Sequence, residues 1–221
     1  LRMQAVSITA SALALRSGAP AADQALRAAA EANVGSESRW YEHARLLLAL
    51  AADTVPPPLS SRVAADTMPG AVLLRGLWAA ARGDSVAAAA ERDSLGARSA
   101  VERRRLGAGP AFLMALLALR RGRPAESIRL IGPAAAEGEN DATNLDRVST
   151  IALRLVMASA YGALGRGDSA AVLGSLAISS LRMPPGMLGL RGIPCAFARP
   201  RVTVWRRRAG MPPLPDAGCG V

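Results

Sequence analysis

The chain has 221 residues, 51% hydrophobic and 3% aromatic, with 27 basic against 17 acidic side chains and a formal charge of +10. One histidine, His43, and two distant cysteines, Cys195 and Cys219, match no zinc-ligand spacing, so neither a metal nor a cofactor site is expected. The longest apolar run, Ala111 to Leu119, falls far short of the roughly 20 residues that span a bilayer, which predicts no membrane span and a cytoplasmic protein.

The charge is unevenly placed. Residues 1–180 hold 20 Arg and 16 acids, whereas residues 181–221 hold 7 Arg and 1 acid. There is no Lys. Exclusive use of Arg, in a chain rich in Ala, Gly and Pro, reads as a biased codon supply, so the net charge is weak support for a nucleic-acid partner. Strand patterning is nearly absent, and Ala favours helix. The expectation is an all-α chain.

The first residue is Leu rather than Met, which suggests a fragment or a processed chain. Ala5 to Leu15 has some character of a signal-peptide core, but its Ser and Thr content and its fit to a first hairpin predict a packed helix. That hairpin is 3–17 and 20–34, turned at Gly18 and Pro20. A helix over 37–52 follows, with Trp40, Leu46, Leu47 and Leu50 inward. Asp53-Thr54 and the prolines 56–58 stop it, since proline cannot continue a helix and restrains its predecessor. A short helix is expected near 60–67.

The next hairpin is 69–82 and 84–97. Arg103-Arg104-Arg105 reads as a solvated helix end or linker, because no aromatic side chains are interleaved with it. A third hairpin covers 110–121 and 124–137, with Gly132-Pro133 expected to kink or break its second helix. Glu137 to Asn144 reads as a polar loop. The fourth hairpin runs from Asp146 to about Leu164, then over 168–181. Residues 182–221 contain seven prolines. Together with Trp205-Arg206-Arg207-Arg208 they read as a Pro/Arg-rich segment, partly helical or disordered.

One phrase joins three of these hairpins: Arg82-Gly83-Asp84-Ser85, Arg121-Gly122-Arg123-Pro124 and Arg166-Gly167-Asp168-Ser169. Gly accepts the left-handed conformation that ends a helix, and Arg meets the negative helix end. Asp84 and Asp168 can cap the next helix, and Pro124 suits its first position. The structural turns are therefore Gly18, Gly83, Gly122 and Gly167. The Arg-Gly-Asp-Ser string occurs twice and could signal adhesion, but the middle copy keeps the turn and loses the string. Spacings of 39 and 45 residues between the three arginines, with two helices each, predict hairpins stacked in one right-handed array over 1–181.

Met157 to Ala170 resembles the tetratricopeptide pattern, in which Ala-x-Ala-Tyr-x-x-Leu-Gly ends the first helix and a small residue sits five beyond the glycine. Gly165 to Ala170, Gly122 to Ser127 and Gly83 to Ala88 share that offset. The resemblance implies a tetratricopeptide-like solenoid. Leu181 to Pro185, with Leu190 to Ile193 and Phe197-Ala198, is similar to the end of the helical-repeat region of large bacterial regulators of kinase, cyclase or transcriptional-activator type. Pro194 and Pro200 depart from the helix expected there.

Titratable groups do not converge in the sequence, so the expected function is a non-enzymatic protein-interaction or sensory scaffold. Its partner would be a protein or peptide. The alternative is a nucleic-acid-associated regulator using the Arg-rich segment. Arg147, Thr150, Arg154 and Tyr161 fall at offsets 0, 3, 7 and 14 and form a polar stripe on one helix. They are the candidate partner-binding residues.

Overall fold

A computed structural model of the chain describes residues 2–137, 150–179 and 192–214. These residues form twelve helices, and none of them lies in a strand. The helices are α1 (Arg2–Ser17), α2 (Ala19–Ala32), α3 (Gly35–Ala52), α4 (Ser61–Ala65), α5 (Pro69–Ala81), α6 (Ser85–Gly96), α7 (Ala100–Arg105), α8 (Gly109–Arg120), α9 (Pro124–Glu137), α10 (Thr150–Ala163), α11 (Gly167–Ser179) and α12 (Gly192–Arg208). Helices α1–α2, α5–α6, α8–α9 and α10–α11 pack as hairpins, and α5 packs on α8 as α9 does on α10.

Three hairpin turns are built alike. In each, a glycine with positive φ follows the helix: Gly83 (77°), Gly122 (69°) and Gly165 (75°). The amide after it donates back to the last helical turn: Asp84 N to Ala79 O and Arg123 N to Ala118 O, both 2.9 Å, and Arg166 N to Tyr161 O, also 2.9 Å. This closure satisfies carbonyls that the helix end leaves free. Pro124 opens α9 as expected, and Asp84 accepts from Ala87 N at 3.0 Å.

The third turn differs from expectation. Gly165, not Gly167, takes the left-handed conformation, and Gly167 begins α11. Asp168 therefore lies inside the first helical turn and is not the residue before it. Gly83, Gly122 and Gly165 are the equivalent positions. The small residues five beyond each, Ala88, Ser127 and Ala170, are all fully buried. The turn between α1 and α2 uses another glycine conformation, with Gly18 at φ 83° and ψ −179°.

Helix α3 is the hub. It packs on α2, α4, α5, α10 and α12, and its residues from Ser38 to Ala51 are all buried. Its expected inward residues Trp40, Leu46, Leu47 and Leu50 are among them. So are Arg39, Glu42 and Arg45, whose charges are matched. Arg39 pairs with Asp66 at 2.8 Å. Arg45 binds both oxygens of Asp23, at 2.7 and 3.1 Å, and Glu42 at 2.8 Å. Ser60 N donates to Glu42 at 3.0 Å. The proline loop is fixed the same way: Pro56, Pro57 and Pro58 lack amides, and their carbonyls accept from Arg82, Trp78 and Arg45.

One further expectation changes. Helix α9 continues through Gly132-Pro133 without a break. The Pro/Arg-rich segment, read as partly helical or disordered, is helical over α12, which runs through Pro200 and packs on α11, α3 and α1. A strictly linear array would bring each hairpin against its neighbours only. Here a C-terminal helix reaches the first helix of the chain. Its docking relies on missing side chains. A Cβ at Gly174 would stand 2.5 Å from Val202, and one at Gly162 would stand 2.9 Å from the Trp205 ring.

Candidate functional site

Helix α10 separates two surfaces. Thr150, Arg154 and Tyr161 lie on one of them, all half-buried, while Arg147 lies outside the described residues. Arg154 donates to the Leu176 carbonyl of α11 at 3.5 Å. The guanidinium of Arg166 stacks over the Tyr161 ring, 4.8 Å from its centre. Thr150, Arg154 and Tyr161 thus share one half-buried face of α10. On the same hairpin, Leu164, Val172 and Leu176 remain 43 to 46% exposed. Val172 and Leu176 are four apart and share one face of α11. An exposed row of large aliphatic side chains with an Arg and a Tyr is a surface suited to a partner.

The opposite side of α10 lines a cleft. Leu155, Val156, Ser159 and Ala163 lie roughly 100–200° around the helix from Arg154 at 100° per residue. They face Leu50 and Asp53 at the end of α3, and Leu116, Leu119 and Arg120 of α8. The cleft has a volume of about 280 Å³. Asp53 takes the left-handed conformation at the end of α3, with φ 54°. It stands between Arg120, at 3.6 Å, and Arg201 of α12, at 3.1 Å. These two arginines also donate to the carbonyls of Thr54 and Leu50, each at 3.3 Å.

The stripe was readable because positions seven apart share a helix face. The cleft was not, because three segments distant in sequence build it. Its only local signal is Arg120 beside Arg121, one residue ahead of the turn.

The other motifs resolve as structure. In the first Arg-Gly-Asp-Ser copy, Arg82 holds the Pro56 carbonyl and Asp84 caps α6. In the second, Arg166 lies on Tyr161. His43 is buried in α3. Arg103-Arg104-Arg105 ends α7, which opens on a capping box of Ser99 and Glu102. Among the described residues, no three His, Cys, Asp or Glu side chains form a group that could hold a metal ion. No described helix is long and apolar enough to cross a membrane. Compared with known families, curated proteins and solved structures, the chain matches none.

Proposed function

We propose that this chain is a non-enzymatic interaction scaffold of tetratricopeptide-like hairpins in a right-handed array, acting as the repeat part of a regulatory protein. The observation that carries the reading is the exposed face of the α10–α11 hairpin, where Leu164, Val172 and Leu176 stand in water and Arg154 reaches the Leu176 carbonyl. Folding leaves these aliphatic groups in water, and a protein partner would remove them from it. The polar neighbours supply direction. Because α12 packs on α1 and α3, a partner meets this exposed face rather than an open groove along α3.

The competing reading, nucleic-acid association through the Arg-rich segment, is weakened by prior engagement. Arg201 holds Asp53 and the Leu50 carbonyl, and Arg206 holds Ser175 and the Pro212 carbonyl.

The test is Val172→Asp with Leu176→Asp, two substitutions at exposed positions. Partners are cross-linked in native lysate and identified for both chains. The expected result is an unchanged melting temperature with loss of the proteins captured by the unsubstituted chain. Identical partner sets would remove the α10–α11 face from the account. Salt-sensitive retention on DNA, lost on deleting 182–221, would favour the nucleic-acid reading instead.

A further inference from the structure

The cleft on the other side of α10 has the chemistry of a binding site. Its walls are aliphatic: Leu50, Leu116, Leu119, Leu155 and Val156. Its charged lining residues are Asp53 and Arg120, and the one carboxylate of Asp53 is shared between Arg120 and Arg201 of α12. Asp53 is itself 62% exposed, and the Arg120 contact at 3.6 Å is an ion pair longer than a hydrogen bond. The Nε–H groups of both arginines are buried and find no acceptor among the described residues. Ser159 adds a hydroxyl to the lining.

We propose that this cleft binds a small amphiphilic carboxylate, with its alkyl body between the leucines and its carboxylate at Arg120. A planar guanidinium presents paired N–H groups, which match the two oxygens of a carboxylate. A neutral alcohol offers no charge to that fork, and an ammonium is repelled by it. The volume of about 280 Å³ lies just under the range usual for drug-sized ligands and selects a short alkyl chain. The site is separate from the α10–α11 face, so either can fail without the other.

The experiment uses the whole chain and three probes of equal length: octanoate, octanol and octylammonium. Calorimetric titration should show saturable binding of octanoate. Octanol should bind at least tenfold more weakly, and octylammonium should not bind. Arg120→Gln should lower octanoate affinity at least tenfold and leave octanol unchanged. Ala163→Trp, placed at the exposed rim where it can fill the cleft, should abolish binding of both while the melting temperature holds. Absence of saturable octanoate binding, equal affinity for octanoate and octanol, or octanoate binding that survives Ala163→Trp would each overturn the proposal.

Discussion

Helices α3 and α12 are both held among several neighbours, but by different means. Around α3 the fold is locked by charge: Arg39, Glu42 and Arg45 enter the interior only because Asp66, Asp23 and the Ser60 amide meet them there. Around α12 it is locked by shape: Val202 and Trp205 fit where Gly162 and Gly174 have no side chain. A buried charge tolerates loss of its partner badly, because the remaining ion keeps its desolvation cost. A shape lock tolerates deletion better than addition, because an added atom has nowhere to go. The α3 region should therefore fail through lost atoms and the α12 region through gained ones.

The largest effect should come from Arg45→Ala, which leaves Glu42 and Asp23 facing each other without their shared cation. The expected loss is about 3–5 kcal/mol, read from the urea midpoint. A loss below that of an ordinary surface substitution would show that the carboxylates find other partners.

Gly174→Val tests the other lock. Overpacking against Val202 should cost about 1–3 kcal/mol and shift Trp205 fluorescence as α12 lifts from α11. Val202→Ala should partly rescue it by making room. A double variant no better than Gly174→Val would place the strain elsewhere.

The third turn gives a smaller, sharper contrast. Gly165→Val should cost about 1–2 kcal/mol, because a β-branched residue is forced to positive φ. Gly167→Ala should be neutral or slightly stabilising, since that position is helical and a Cβ there meets only ordinary contacts. Thermal melts of the two variants would settle which glycine makes the turn.

The smallest effect is in pH dependence. Burial pushes the Glu42 carboxyl up from its ordinary 4.5, against the pull of Arg45 and the Ser60 hydrogen bonds. The folded chain thus holds this proton more tightly than the unfolded one. The contribution of Glu42 to stability is complete below pH 4.5 and is lost as pH rises through the raised folded value. Glu42→Gln should flatten that decline above pH 4.5 while leaving Arg45 paired with Asp23. Urea midpoints across this range measure it, and an unchanged slope would assign the decline to other groups.

The charge lock was illegible in sequence because its partners are distant: Asp23 precedes Arg45 by 22 residues, and Asp66 follows Arg39 by 27. Read along a helix, Arg39, Glu42 and Arg45 look like a solvated face. The shape lock was hidden because the Pro/Arg-rich segment read as partly helical or disordered, with Pro194 and Pro200 departing from a helix. The informative residues were Gly162 and Gly174 on other helices. What local chemistry controls was readable: the approximate spans of most hairpin helices, the stop at the proline loop, and the left-handed glycines at 83 and 122. The third turn misled because two glycines lie two residues apart, and the Arg-Gly phrase pointed to the second. The offset to Ala170 pointed to Gly165, which the backbone bears out. On α10, spacing alone placed Arg154 and Tyr161 together, whereas the cleft behind them needed α3 and α8 in place.

The organisation around α3 is tested most directly by native-state hydrogen exchange on the unsubstituted chain and on Gly174→Val. The account predicts that amides from Trp40 to Ala51 exchange only through global unfolding in both chains, while those of α12 exchange markedly faster in the variant. Amides of α3 that exchange as fast as those of α12 in the unsubstituted chain would contradict it.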